Sequence, residues 1–257
     1  NFRKMRVYLD NAATTPIDKD VVAEMIPYLE KFYGNPSSTH SHGREVKVAL
    51  ERARKKVASL LGVSPAEIFF TSGGTESDNT AIRCYIEKYE LSHAITSKLE
   101  HHAVLHTLEL LAQKGAVKLS YVNHDSQGNI DLVDLEQLLQ ENPKSLVSLM
   151  HGNNEIGTIS DMHQIGSICQ KYDAIYHSDT VQTMGYYPLN LGELPVDSVV
   201  GAAHKFHGPK GVGFLYVSQH KKIAPYLTGG GQERSMRGGT ENISGIIGMV
   251  KALELCI

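Results

Sequence analysis

The chain has 257 residues, of which 41% are hydrophobic and 21% are charged, so it can bury the core of about one or two domains. Its net charge of −3 gives no electrostatic reason to expect binding to nucleic acid or membranes. Its three cysteines lack regular spacing, which argues against a disulfide framework. It has no signal-peptide pattern and no apolar stretch of about 18 residues, so we predict a soluble, cytoplasmic protein.

Short apolar runs typical of β-strands alternate with amphipathic segments typical of helices. The predicted strands are residues 68–71, 94–97, 117–122, 146–150, 174–177, 198–201 and 213–217, and the clearest helices are 47–61, 104–113, 132–140 and 162–171. This alternation predicts an α/β fold with a mainly parallel, seven-stranded sheet covered by helices. No helix separates the last two strands, so we expect one antiparallel strand there.

A glycine turn follows the first predicted strand and opens a helical stretch. Gly73 and Gly74 allow close backbone approach, the start of a helix offers free N–H groups, and Thr75 adds a hydroxyl. The turn can therefore bind phosphate, although it matches neither a Walker loop nor a Gly-x-Gly-x-x-Gly motif. An ordinary helix N-cap is the alternative interpretation.

Polar residues also follow the second and fourth predicted strands. His101 stands near the first turn of a helix, where its ring can lie flat over an aromatic cofactor, and Asn154 follows the strand at 146–150. The spacing of His102 and His106 suits a metal ion, but no third ligand is evident and surface histidines are the alternative. We predict no metal site.

The fifth predicted strand leads to Asp179, at the carboxyl end where ligands of parallel sheets bind. A carboxylate at this place can hold a heteroaromatic ring nitrogen in its protonated state. Three residues later, Gln182 can donate a hydrogen bond to a phenolate oxygen. The alternative role for Asp179 is to cap a following helix.

Lys205 lies in the turn between the last two predicted strands, beside His204 and near His207 and Lys210. Burial or cationic neighbours lower the pKa of an amine, as a lysine that condenses with an aldehyde requires. A solvated surface lysine is the alternative. Together with the phosphate-binding turn, Asp179 and His101, this lysine describes a site for pyridoxal phosphate.

The chain resembles the cysteine desulfurases of the class V aminotransferase group nearly end to end. The segments that carry the resemblance are 8–16, 34–40, 71–77, 100–101, 153–157, 204–205 and 229–242, with Asp179 and Gln182. It implies the fold-type-I architecture, pyridoxal phosphate as cofactor and a homodimer. Residues 1–15 are then expected to form an N-terminal arm belonging to the small domain, and residues 16–257 the cofactor-binding large domain.

Carried over by position, the resemblance implies that Lys205 is the Schiff-base lysine and that His101 stacks on the ring and shuttles protons. The other implied contacts are Gly74, Thr75 and His204 at the phosphate, Asn154 and Gln182 at the ring oxygen, and Asp179 at the ring nitrogen. Thr240 is expected to reach the phosphate of the partner subunit.

The chain departs from the family pattern in two places. Ala202 stands where relatives usually have a serine, so one phosphate hydroxyl is absent. The loop that carries the sulfur-accepting cysteine in relatives does not occur before Ile257, and Cys84, Cys169 and Cys256 lie in helical runs where packing is expected. We therefore expect a cysteine desulfurase whose C-terminal small domain is absent from this chain, leaving it inactive in desulfuration.

The activity that the resemblance implies is conversion of L-cysteine to L-alanine. Lys205 moves the α proton, the sulfur passes to an enzyme cysteine as a persulfide, and an acceptor protein takes it from there. Selenocysteine lyases and class V aminotransferases share the same motifs, and a non-catalytic scaffold that binds pyridoxal phosphate is a further alternative. The final sink, whether iron–sulfur cluster assembly or thiolated tRNA, stays open.

Overall fold

The computed structural model describes residues 6–257. Its strands are β1 (Ile68–Thr71), β2 (His93–Thr96), β3 (Lys118–Tyr121), β4 (Leu146–Ser148), β5 (Ile175–Asp179), β6 (Ser198–Ala202) and β7 (Gly213–Val217). Its helices are α1 (Lys19–Glu30), α2 (Ser41–Leu60), α3 (Gly74–Lys88), α4 (His102–Gln113), α5 (Leu132–Glu141), α6 (Met162–Lys171) and α7 (Ile243–Cys256). The predicted strands and helices are all present, with bounds that differ by at most two residues, except that α2 begins six residues before its predicted start.

One sheet contains all seven strands in the order β1-β7-β6-β5-β4-β2-β3. The five strands from β6 to β3 are parallel, and β7 runs antiparallel to both β6 and β1. The predicted fold class, a mainly parallel sheet with an antiparallel strand, is therefore confirmed. The parallel order brings the carboxyl ends of β2, β4, β5 and β6 to one edge of the sheet, where a ligand can bind.

The core lies on both faces of the sheet because the central strands are buried on both sides. In β6, Val199 belongs to the apolar cluster that contains side chains of α2, α5, α6 and α7, whereas Val200 belongs to a second cluster with those of α3 and α4. In β5, Tyr176 and Ile175 divide in the same way. The double cover fixes the strands, and with them the loops at their ends.

Residues 6–18 precede α1 without forming a helix or strand. They lie against the turn after β6, where Thr15 N donates to the His204 carbonyl over 2.9 Å and Thr15 Oγ1 accepts from His207 N over 2.7 Å. Residues 1–5 of the expected arm lie outside the described residues, and assignment of the arm to a small domain stays a prediction. Within residues 6–257, no helix is long and apolar enough to cross a membrane. The cytoplasmic location also stays a prediction.

Candidate cofactor site

A cavity of about 280 Å³ opens at the carboxyl ends of the central strands. Eight of the nine predicted site residues line it: Gly74, Thr75, His101, Asn154, Asp179, Gln182, His204 and Lys205. The ninth, Thr240, is exposed and lies outside this cavity. The eight residues meet because each follows or terminates a strand whose carboxyl end faces the same edge of the sheet.

One end of the cavity is suited to an anion. Helix α3 begins at Gly74, so the first N–H groups of the helix have no intrahelical acceptor and its positive dipole end faces the cavity. Gly73 has a φ of 149°, which favours glycine. His204 completes this end, and burial, followed by the charges of Lys205 and Lys210, lowers the pKa of its imidazole.

Asp179 presents a carboxylate with one free oxygen to the same cavity. Its Oδ1 accepts from Val181 N over 2.8 Å, whereas its Oδ2 accepts no hydrogen bond from the described residues. A turn follows rather than a helix, so the alternative role as a helix cap is wrong. Burial, reinforced by Asp78, raises the pKa of Asp179 to about 7, and a cation at Oδ2 would counter that effect.

Near Asp179 lies a buried pair that was not predicted from the sequence. It is formed by Asp78 of α3 and His177 of β5. Asp78 Oδ1 is 3.2 Å from His177 Nε2, and His177 Nδ1 is 2.9 Å from Ser198 Oγ. Burial raises the pKa of Asp78 well above its usual value and lowers that of His177 to about 4. Both shifts disfavour the charged forms of this buried pair. Asp78 follows Gly74 by one helical turn, which was the available signal that it faces the cavity.

Lys205 reaches the cavity from the turn after β6. Its Nζ donates to the carbonyl of Ala12 and, over 3.0 Å, to that of Ala13. Gln182 Nε2 donates to the same Ala12 carbonyl over 2.9 Å, so the two side chains lie together. Burial lowers the pKa of Lys205, opposed by the negative charges of Asp179 and Asp10.

The remaining wall comes from the loops after β2 and β4. His101 Nδ1 accepts from Ala103 N over 3.1 Å at the start of α4, which leaves Nε2 as the protonated nitrogen. Asn154 Oδ1 is buried without a hydrogen-bond partner among the described residues. A buried amide atom without a partner in a cavity wall is a sign of a missing polar ligand.

These groups fit pyridoxal phosphate. The start of α3 suits the phosphate, the free oxygen of Asp179 suits the ring nitrogen, the amine of Lys205 suits the aldehyde, and the unpaired amide of Asn154 suits a polar ring substituent. Among residues 6–257, no group of three or more His, Cys, Asp or Glu side chains is arranged to hold a metal ion.

A larger cavity, of about 540 Å³, lies at the opposite edge of the sheet, near the start of β5 and β6. Its two partly or fully buried acids accept backbone hydrogen bonds, from Ser64 and Gln219 to Glu67 and from Tyr176 to Asp197. These carboxylates serve the turns at the strand ends. The smaller cavity is the candidate site because there the polar groups converge without protein partners.

The three cysteines do not take part in the site. Cys84 and Cys169 are buried in the two halves of the core. Cys256 is partly buried and packs against the half that contains Cys169. Burial raises the pKa of Cys84 to about 11 and also raises those of Cys169 and Cys256. None is therefore an activated thiolate.

This fold and this cavity define a protein suited to bind pyridoxal phosphate. The family described as Aminotransferase class-V matches residues 7–257, and the chain belongs to that family, whose cofactor is pyridoxal phosphate. Within the family, it is 48% identical over 256 residues to the "Cysteine desulfurase IscS" of Dictyoglomus turgidum, covering 99% of this chain and 64% of that protein. It is 45% identical over 251 residues to the "Cysteine desulfurase IscS" of Methanosarcina thermophila, covering 97% of this chain and 62% of that protein.

Two solved structures extend the similarity to three dimensions. A "NifS-like protein" has a TM-score of 0.95 at 46% identity, covering 98% of this chain and 70% of that one. A structure titled "SspA in complex with cysteine" has a TM-score of 0.92 at 34% identity, covering 97% of this chain and 72% of that one. The chain spans less than two thirds of the length of both cysteine desulfurases named above, at 64% and 62%.

Proposed function

We propose that the protein is a pyridoxal phosphate-dependent cysteine desulfurase, which converts L-cysteine to L-alanine and transfers the sulfur to a cysteine thiol as a persulfide. The observation that carries the proposal is the convergence of Lys205 and Asp179 on one cavity, in a chain with 48% identity to a cysteine desulfurase. A solved relative at 34% identity is in complex with cysteine, which supports cysteine as the substrate.

The residues of the cavity divide the work. When bound, pyridoxal phosphate supplies an electron-withdrawing ring that stabilises negative charge at the substrate Cα. Asp179 keeps the ring nitrogen protonated through its free Oδ2, and the positive ring in turn keeps this buried acid ionised. Lys205 takes the proton from the substrate Cα, a role supported by the burial that lowers its pKa and increases its neutral fraction.

The proposed binding contacts follow the shape of the cavity. Gly74, Thr75 and His204 hold the phosphate, and His101 stacks on the ring face and moves protons through its Nε2. Asn154 and Gln182 bind the ring oxygen. To donate to that oxygen, Gln182 Nε2 must leave the Ala12 carbonyl and Asn154 Nδ2 must leave Glu155 Oε1.

We also propose that the protein acts as a homodimer. Helix α1 packs its buried Val21 against the core, yet an adjacent side of the helix exposes Val22, Ile26 and Leu29. A helix that is apolar beyond its buried side is suited to an interface. In such a dimer, the partner subunit's Thr240 would reach the phosphate, consistent with the exposure of Thr240 in this chain.

Burial raises the pKa of each of the three cysteines in this chain. We therefore propose that the thiol that accepts the sulfur lies outside residues 1–257. A second protein would then take the sulfur from the persulfide. Such an acceptor is part of the proposal because an enzyme-bound persulfide must be discharged before the next turnover.

The test of the cofactor assignment is the visible absorption spectrum of the protein loaded with pyridoxal phosphate. We expect Lys205→Ala to lose the absorption band of the lysine-bound cofactor, and Lys210→Ala, which changes an exposed lysine in the same loop, to retain it. A band that survives in Lys205→Ala but not in Lys210→Ala would reject the assignment.

The test of the reaction is to supply L-cysteine to the whole protein and measure alanine and sulfide. We expect equimolar alanine and reducible sulfur. Turnover of L-selenocysteine alone would instead indicate a selenocysteine lyase, and conversion of the cofactor to pyridoxamine phosphate without sulfide would indicate an aminotransferase. Bound cofactor without any turnover would favour a scaffold.

A further inference from the structure

The segment 229–241, here called the clamp segment, contains three consecutive residues in the left-handed conformation. Glu233, Arg234 and Ser235 have φ angles of 45°, 57° and 66°, although none of them is glycine or asparagine. Each such residue costs about 1–2 kcal/mol relative to ordinary backbone. A run of three persists only where surrounding contacts hold it.

The first set of contacts joins the clamp segment to β1. The buried Glu233 carboxylate accepts from both terminal nitrogens of Arg54 over 2.7 Å and from Phe70 N over 2.8 Å. Arg234 Nη2 donates to the Ile68 carbonyl over 2.7 Å. Because β1 is an edge strand of the sheet, its outer backbone groups have no neighbouring strand, and these bonds satisfy two of them. They fix the strand that leads into the glycine turn.

The second set of contacts lies just after that turn, residues 71–75, here called the phosphate turn. Arg237 Nε donates to Glu76 Oε1 over 2.8 Å, and its Nη2 donates to Glu76 Oε2 over 3.0 Å. Glu76 Oε2 also accepts from Ser72 N over 3.0 Å. Glu76 therefore links the start of α3 to the phosphate turn through Ser72 N. Arg237 of the clamp segment holds the Glu76 carboxylate in place.

The pairing of Arg237 with Glu76 also has an electrostatic consequence. Glu76 lies in the first turn of α3, beside the helix start that suits a phosphate. Burial opposes its ionisation, but hydrogen bonds from Arg237 and Ser72 outweigh burial and lower the pKa of Glu76. An unpaired carboxylate at this place would repel a phosphate dianion, whereas the ion pair with Arg237 neutralises it.

We infer that the clamp segment positions the phosphate turn, with Arg237 as a positioning residue for the phosphate of the cofactor. The segment fixes β1 before the turn through Glu233 and fixes Glu76 after it through Arg237. The inference rests on the proposed function, since the phosphate in question belongs to pyridoxal phosphate. Because Thr240 lies in the same segment, one element would contribute to the phosphate sites of both subunits of the proposed dimer.

The experiment compares Arg237→Ala with Lys56→Ala, which removes a surface ion pair with Glu254 of 2.9 Å. The dissociation constants of pyridoxal phosphate and of pyridoxal, which lacks the phosphate, are measured by absorption titration. We expect Arg237→Ala to bind pyridoxal phosphate about tenfold more weakly, as loss of a charge-assisted pair predicts. Its affinity for pyridoxal should be unchanged, and Lys56→Ala should match the wild type with both ligands.

A double variant separates charge from geometry. In Arg237→Ala/Glu76→Gln, the amide oxygen can still accept from Ser72 N but carries no charge, so we expect part of the lost affinity to return. Hydrogen exchange of the cofactor-free protein adds a readout independent of the cofactor. We expect amides 72–76 to exchange faster in Arg237→Ala than in Lys56→Ala.

Equal losses of affinity for pyridoxal phosphate and pyridoxal in Arg237→Ala would overturn the inference, because the effect would not concern the phosphate. Unchanged affinities together with unchanged exchange at residues 72–76 would overturn it as well. A wild-type protein that binds no pyridoxal phosphate would instead defeat the proposed function itself. The two failures are therefore distinguishable.

Discussion

Two buried acids in this chain, Glu233 of the clamp segment and Asp179 at the end of β5, have similar exposures of 3% and 4% but different surroundings. Both oxygens of Glu233 accept hydrogen bonds, two from Arg54 and one from Phe70 N. Asp179 accepts one hydrogen bond, from Val181 N, and has no cationic hydrogen-bond partner among residues 6–257. Its neighbour Asp78 adds a second acid instead.

The difference shows that burial alone does not mark a functional acid. Glu233 is buried with hydrogen-bond partners on both oxygens, so its charge serves to hold Arg54 and β1 in place. Asp179 is buried with a free oxygen facing a cavity, so its charge is available to a ligand. Replacing each acid by its amide therefore tests whether the two charges have different roles.

The largest effect is expected for Glu233→Gln. The amide keeps the shape of the side chain but leaves the guanidinium of Arg54, which is 1% exposed, with only the more exposed Glu51 as a counter-charge. Breaking one side of a buried ion pair costs about 3–5 kcal/mol in the free energy of unfolding. Urea denaturation of the cofactor-free protein measures this cost, and a loss below about 1 kcal/mol would contradict a structural role for the pair.

The matched change, Asp179→Asn, is expected to leave the fold intact and to impair the reaction. Its amide oxygen can still accept from Val181 N, but an amide cannot keep the ring nitrogen protonated. We expect turnover of L-cysteine by the whole protein to fall by about 100-fold, equivalent to about 2.7 kcal/mol, without loss of stability. Turnover within about twofold of the wild type would remove Asp179 from the mechanism.

The pH dependence of the free energy of unfolding tests whether burial perturbs the ionisation of Asp179. Burial raises the pKa of Asp179 from 3.8 to about 7, so the folded cofactor-free protein holds a proton that the unfolded chain releases. Across this range, Asp179 lowers the stability as the pH rises. We therefore expect the stability of Asp179→Asn relative to the wild type to increase from about pH 4 to about pH 7 and then level off. A relative stability that does not vary with pH would show that Asp179 ionises normally.

The smallest effect is expected for Ala202→Ser at the phosphate end of the cavity. Ala202 lines the cavity and is buried, so a serine hydroxyl there can donate to the phosphate. One added hydrogen bond of about 1 kcal/mol predicts about fivefold tighter binding of pyridoxal phosphate. Affinity for pyridoxal serves as the control and should not change. Weaker binding of both ligands would indicate that the added atom crowds the cavity.

The strands and helices are well predicted from the sequence because the periodicity of apolar residues that marks them is a local property of the chain. All seven strands and the antiparallel β7 follow from apolar runs and from the missing helix before Gly213. The cavity residues were predictable for a related reason. Each follows or ends a strand, and the carboxyl ends of parallel strands meet at one edge.

The charged pairs could not be predicted in the same way. Arg54 lies in the amphipathic α2, where arginine is normally solvated, and its partner Glu233 is 179 residues away. Asp78 and His177 are likewise joined only by the packing of α3 on β5. The left-handed run at Glu233 to Ser235 has no local signal either, because none of these residues favours positive φ. Tertiary contacts, rather than local preference, determine these features.

The central claim is that Lys205 is the lysine that bonds to pyridoxal phosphate in this cavity. Borohydride reduction of the loaded protein makes that bond permanent, and mass spectrometry of the digested protein locates it. We predict a single phosphopyridoxyl group on the peptide that contains Lys205. A group found on Lys210 or another lysine, with Lys205 unmodified, would contradict the account.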